Sequence, residues 1–313
     1  MSTREIHMIM LGPGRVGKSS LLATIYHEIN KLKVGFELIP IGETKDRLEA
    51  SYRELSSVME REVFVPVDDL VKGTRGFVEY RLEVTFRQSR VFDLVFHDFR
   101  GGALTETGND LNTLREKVEK SHVIFNLLDA VTLMELDTKD EYERRNAHEK
   151  VSQLLHRALQ PNEKYLILFV LVKCESYIKT ASSRERLVKR FEERHAPVLQ
   201  LINNRNLTSR NVVGLLIPVI TLGCVEFKKI DSEGNYIFDR NHRDFEPREV
   251  DQPLRYALGF ALNRVEENRG FFSDLWRYLS GEGKAFNQAL KDFCKQHKTG
   301  YKVYGNPDLL RVN

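Results

Sequence analysis

Cysteine, tryptophan and charge of a single sign are all scarce in this chain of 313 residues. The three cysteines, Cys174, Cys224 and Cys294, are odd in number and widely spaced, which speaks against both a disulfide framework and a zinc module and fits a reducing, cytoplasmic setting. The 48 Lys and Arg residues nearly balance 45 Asp and Glu, leaving a net charge of +3. That is too little for a nucleic-acid footprint, and no stretch carries five or six consecutive basic residues, so any phosphate recognition must be local. No run of 18 apolar residues exists to cross a membrane. The N-terminus, MSTREIHMIM, lacks the apolar core of a signal peptide. Internal repeats and low-complexity linkers are also missing.

What is present is an ordinary globular composition, 41% hydrophobic and 30% charged, sufficient for a sizeable core. The length permits one large domain or two small ones. EIHMIML (5–11) reads as a short buried strand, followed by a helix over 17–32 with Leu21, Leu22, Ile25, Ile29 and Leu32 at helical spacing. A charged helix is expected over 43–62. The alternating runs 76–86 and 90–98 are separated only by Arg87 to Ser89, a spacing that predicts an antiparallel hairpin. HVIFNLLD (122–129), YLILFVLV (165–172) and VVGLLIPVIT (212–221) read as further buried strands, with helices near 138–159 and 184–202 between them. This order predicts a three-layer α/β fold, with a mostly parallel sheet, one antiparallel edge strand and helices on both faces. Residues 224–250 fit a polar hairpin around Ser232 to Asn235, and 252–266 fit a closing helix. The expected division is a domain over 1–266, with insertions near 33–73 and 224–250, and a C-terminal helical extension over 267–313. The aromatic stripe of that extension (Phe271, Phe272, Trp276, Phe286, Phe293) fits either a core helix or a partner-binding face.

The loop MIMLGPGRVGKSS satisfies two phosphate-binding patterns. Gly12, Gly14 and Gly17 spell G-x-G-x-x-G, and Glu37 lies where that dinucleotide fingerprint expects its acidic residue. Gly12, Gly17, Lys18 and Ser19 spell the P-loop G-x-x-x-x-G-K-[ST]. Only the second gives Lys18 and Ser19 a purpose: the loop of Gly12, Pro13, Gly14, Arg15, Val16, Gly17 and Ser20 wraps phosphates with its backbone amides (Pro13 has no N–H and only shapes the turn), the Lys18 ammonium spans the outer two, and the Ser19 hydroxyl ligates Mg²⁺. A second motif, VFDLVFHDFRGG, ends an apolar strand on Asp98 with Gly101 three residues on. A carboxylate there can hold Mg²⁺ through water, and a glycine lets its N–H approach a terminal phosphate.

With GPGRVGKSS and DFRGG in view, the chain resembles the Ras-like, translation-factor-class P-loop GTPases over about residues 5–266. The resemblance implies GTP or GDP with Mg²⁺ as ligands. It places a switch threonine at Thr74, in KGTRGFVEY, as a further Mg²⁺ ligand and sensor of the γ-phosphate, and so assigns the chemistry to Lys18, Thr74 and Gly101. In VLVKCES, Lys173 matches the base-recognition lysine, while Glu175 stands for the family's aspartate and Val172 for its Asn or Thr. In ITLGC, Gly223 lies in the loop that backs onto the base. Many members carry a glutamine after D-x-x-G to orient water. Here that position is Gly102, which implies slow turnover unless a partner, a second copy or a local arginine (Arg15 or Arg100) completes the site. The long insertion, the DxxGG ending and the KCE variant are similar to bacterial GTPases of the double-GTPase type from antiphage gene clusters. That similarity implies a regulatory GTPase acting with protein partners.

Three function classes remain open on these residues. One is a switch GTPase with a regulatory or effector protein partner, and with a homo-oligomer as an option. A second is a nucleotide-holding pseudo-GTPase scaffold. The third is a P-loop ATPase or kinase, against which stands Phe99, where an ATPase places a second acidic residue.

Overall fold

The apolar heptad Glu5–Leu11 forms β1, in which side chains alternate between the two faces: Met8 and Met10 enter one core, Ile9 and Leu11 the other. The structure, a computed structural model, describes residues 5–57, 77–99, 109–204, 211–232, 235–241, 244–267, 273–281 and 283–312. Strand β1 is flanked on both sides by parallel partners, β4 (Ser89–Phe99) and β5 (Val123–Asp129). Beyond β5 lie β6 (Tyr165–Val172) and β7 (Val212–Pro218), also parallel. β6 and β7 are apolar along their whole length because helices cover both faces.

Two strands run against this set where one is expected. β3 (Phe77–Phe86) returns from β4 through Arg87 and Gln88, both at positive φ as a type I′ turn requires, and pairs with it antiparallel. It is not the edge, because β2 (Glu37–Pro40) pairs outside it. At the other end β10 (Lys302–Gly305), from the C-terminal segment, pairs antiparallel with β7. The sheet order is therefore β10-β7-β6-β5-β1-β4-β3-β2. Glu37 lies exposed on the outermost strand, far from the end of a second parallel strand, so it has no place in a dinucleotide fingerprint.

One face of the sheet is covered by α1 (Lys18–Lys31), α2 (Glu43–Ser56), α9 (Gln252–Glu267), α10 (Ser273–Ser280) and α11 (Lys284–Lys295), which bury Leu21, Ile25, Leu48, Leu254, Leu279 and Phe286. The other is covered by α3 (Asn109–Lys120), α4 (Ala130–Glu135), α5 (Lys139–Asn146), α6 (His148–Ala158), α7 (Ala181–Arg194) and α8 (Ala196–Asn203), through residues such as Val118, Val151, Leu187, Phe191 and Ile202. Each fully buried side chain of this size contributes about 1.5–3 kcal/mol.

Both long helices expected between strands are broken. The one near 138–159 divides at Ala147, which adopts φ 50, and Glu143 accepts the Glu149 backbone N–H at 2.9 Å to start α6. The one near 184–202 divides at His195, because Pro197 lacks the N–H a continuous helix needs. The charged helix expected to 62 is helical to Ser56; residues 58–62 lie outside the described residues. The expected polar hairpin forms as β8 (Val225–Ile230) and β9 (Tyr236–Arg240). Among the described residues no helix is long and apolar enough to cross a membrane.

Candidate functional site

Strand β1 ends at Leu11, and the chain turns through Gly12 to Gly17 before Lys18 opens α1. Gly12 sits at φ 137, and a Cβ there would lie 2.8 Å from the carbonyl oxygen of Leu127 on β5, so only glycine lets the loop pass this close to the sheet. Gly17, at φ 110, is the N-cap of α1 and brings no side-chain cap, leaving the first-turn N–H groups to an external acceptor. Gly14 and Arg15 face solvent, while Val16 is buried and anchors the loop.

The Lys18 ammonium is buried and folds back along the loop. It donates to the carbonyl oxygens of Gly12 (3.1 Å) and Pro13 (3.2 Å) and lies 3.7 Å from Asp98 Oδ1. Burial pulls its pKa below the ordinary lysine range, and Asp98 works against that pull. Asp98 arrives here because β4 runs parallel to β1 in a register that sets it beside Met10. The Ser19 hydroxyl donates to Asp98 Oδ2 at 3.4 Å. Adjacent hydroxyl and carboxylate oxygens beside a glycine-bounded loop are hard donors of the kind Mg²⁺ takes when phosphate and water complete its shell. Among the described residues no group of three or more His, Cys, Asp or Glu could hold a metal alone. Thr74, Arg100, Gly101 and Gly102 lie outside the described residues.

Tyr80 of β3 joins this group: it is 4% exposed, and its hydroxyl shares a hydrogen bond with the Ser19 side chain. Burial, seconded by the Asp98 charge, raises its pKa. Its signal in the sequence is weak but real, since the period of two through Val84, Leu82 and Tyr80 puts it on the face that Asp98 shares. By the same alternation His97 points to the opposite face, where it stacks on His7 with ring centroids 5.2 Å apart, so it does not reach the loop.

The remaining expected residues cluster at the tips of β5, β6 and β7. Lys173, at φ 57, directs its Nζ to Asp129 Oδ2 at 2.6 Å. The other Asp129 oxygen caps α4 by accepting the Thr132 N–H. Glu175 opens a 3-10 turn, and its carboxylate accepts the backbone N–H groups of Glu175 itself, Gly223 and Leu222. Those bonds favour the charged form, but burial outweighs them and pushes the carboxyl up to about 7. Gly223 adopts φ 75, and a Cβ would meet the Glu246 carbonyl oxygen at 2.4 Å, so the 244–250 segment can cross this loop only because a glycine is there. Between them, Cys174 is fully buried with its thiol donating to the Val219 carbonyl, a packing role.

A cleft of about 640 Å³ is lined by Pro13 to Val16, Asp129 and Lys173, whereas Lys18, Ser19, Asp98, Glu175 and Gly223 are not part of its lining. Its far wall was not expected from the sequence. Tyr236 of β9 is tied to the Thr132 hydroxyl at 2.9 Å, and the Arg145 guanidinium of α5 lies 4.4 Å from its ring centroid. Arg144 and Lys150 also line it. No spacing announces residues that reach a site only through a hairpin folded over from β8 and β9. Comparison of the chain with protein-family models and with curated proteins finds no match.

Proposed function

We propose that this protein binds a nucleoside triphosphate with Mg²⁺, prefers guanine, and acts as a slow GTPase that switches protein partners between two states. The observation that carries the reading is the convergence of the buried Lys18 ammonium, the Ser19 hydroxyl and the Asp98 carboxylate at the mouth of a glycine-bounded loop. In this reading the loop amides and Lys18 hold the phosphates, replacing the carbonyl contacts that Lys18 now makes. Ser19 and Asp98 hold Mg²⁺, which when bound neutralises charge developing on the phosphate oxygens. Lys173 borders the base, and Glu175 accepts the two N–H donors on guanine's edge. Thr74 and the segment from Asp98 to Gly108 are the parts expected to respond to the γ-phosphate. Gly102 offers no side chain to orient water, so turnover is slow until a partner, a second copy or a local residue supplies what is missing.

A second reading, ATP in place of GTP, is favoured by one observation: the Glu175 carboxylate already accepts the Leu222 and Gly223 N–H groups. A scaffold that holds nucleotide without turnover follows from Gly102. Action in the cytoplasm with partners in a bacterial defence complex rests on the family resemblance alone. The deciding experiment is calorimetric titration with GTP, GDP and ATP, with and without Mg²⁺, and phosphate release from the same sample. Mg²⁺-dependent guanine binding with slow release supports the switch. Preference for ATP displaces Glu175 as a base reader, and no binding of any of the three defeats the proposal.

A further inference from the structure

A second cleft, of about 340 Å³, lies on the other side of the β6 and β7 tips, between the start of α7 and the chain entering β10. Its lining is apolar: Ile178, Val188, Pro218 and Ile220 are half-buried and present the accessible surface, and they rest on Leu171, Leu187 and Leu216, which are at most 2% exposed. Its rim is cationic. Arg184, Arg248, Lys298 and Lys302 line it with a single carboxylate, Glu249, in a chain whose charges otherwise nearly balance. That carboxylate is already engaged, by Lys298 and by the Tyr301 hydroxyl. Lys302 is paired with Glu192 at 3.2 Å, and Arg248 lies 3.6 Å from Glu246. Arg184 is different. Its Nε donates to the Ile178 carbonyl oxygen at 2.8 Å, which fixes the guanidinium at the cleft, and among the described residues no carboxylate lies within ion-pair distance of it.

We propose that this cleft binds a small molecule with an apolar body and one anionic oxygen head, carboxylate or sulfonate, whose body covers Ile178, Val188, Pro218 and Ile220 and whose head is received by Arg184. An apolar pocket with a few placed polar groups is the usual form of a small-molecule site, and a planar guanidinium held by one nitrogen presents the rest of its fork to a two-oxygen anion. The neighbouring cations raise the local concentration of such a ligand. None of these residues belongs to the loop, the Mg²⁺ ligands or the base edge, so the inference stands whether or not the nucleotide reading does. Arg248 also exchanges two backbone hydrogen bonds with Ile220, which locks the rim to the strand leading toward Gly223.

The test uses the full chain and the fluorescent anion anilinonaphthalene sulfonate, displaced by decanoate or by decanol. The expected result is one saturable site from which decanoate displaces the dye at least about tenfold better than decanol, the size of one charge-assisted hydrogen bond. Arg184→Glu, at an exposed position, is expected to weaken dye binding by a similar factor, and Val188→Trp to block it by filling the cleft. Equal displacement by the acid and the alcohol, or wild-type dye affinity in Arg184→Glu, would overturn the proposal. Unchanged binding in Val188→Trp would do the same, because it would place the dye elsewhere.

Discussion

Lys173 and Asp129, at the tips of neighbouring parallel strands, hold each other with 2.6 Å between Nζ and Oδ2. The pair does two jobs at once, since the other Asp129 oxygen starts α4 through Thr132 while this one aims Lys173 along the cleft. The two jobs separate by substitution. Asp129→Asn keeps an equally good N-cap and loses only the charge, for an expected loss of about 1–3 kcal/mol. Asp129→Ala loses the cap as well, for about 1 kcal/mol more. Urea unfolding of both variants checks this, and identical losses would mean that the carboxylate contributes nothing as a cap.

Ser19 and Asp98 are assigned to Mg²⁺ and Lys18 to phosphate, and these roles predict different failures. Under the proposed function Lys18→Ala removes a charge-assisted contact to phosphate, and it is expected to weaken nucleotide binding on the order of 100-fold, with or without Mg²⁺. Asp98→Asn is expected to leave the Mg²⁺-free affinity near wild type while the gain on adding Mg²⁺ collapses toward none. Titration of each variant with GTP at zero and millimolar Mg²⁺ reads the difference. An Asp98→Asn chain that retains the full Mg²⁺ gain would remove Asp98 from the metal site.

Glu175 gives the site a pH dependence whose sign is fixed by burial. Its carboxyl titrates near 4.5 in the unfolded chain and is pushed up to about 7 in the fold. Below 4.5 both states hold the proton and the contribution to stability is intact. Between 4.5 and 7 the unfolded chain ionises first, so stability falls as pH rises, by about 3 kcal/mol across the window, and then levels off. Glu175→Gln is expected to flatten this segment of the stability curve. If the carboxylate reads guanine, GTP affinity rises as pH passes 7 while ATP affinity does not. A GTP affinity that ignores pH between 6 and 8 would detach Glu175 from the base.

The parts of this architecture that follow local rules were legible before the fold was known. The strands at 165–172 and 212–218 are continuous apolar runs, the loop from Gly12 to Ser19 has fixed spacing, and the short gap from Arg87 to Ser89 left no room for a crossover. What could not be read depends on distant chain. Tyr236 reaches the cleft only because the β8–β9 hairpin folds back to Thr132, and β10 joins the sheet from 84 residues beyond β7, two adjacent strands with no local signal to link them. The break at Ala147 is similar: alanine favours helix, and the positive φ there answers to packing around it, not to propensity. Glu175 in place of aspartate was visible, but its capture by Leu222 and Gly223 was not, because that depends on how closely two loops approach.

The aromatic stripe of the C-terminal segment offers a final test, because it fits a core helix and a partner-binding face equally well when read alone. Phe286 of α11 is fully buried and meets Phe36, Phe86 and Phe92, with centroids 6.3, 5.6 and 6.1 Å away, so the segment closes the core over β2, β3 and β4. Phe286→Ala is therefore expected to cost about 3–5 kcal/mol. Val303→Ala on the exposed side of β10 is expected to cost under about 0.5 kcal/mol. The informative quantity is the shape of the urea transition. A segment that folds with the sheet shifts the whole transition to lower urea with its slope kept. A segment that folds on its own would leave the main transition in place and add a second, earlier one. That outcome would separate the residues after 267 from the core their side chains occupy.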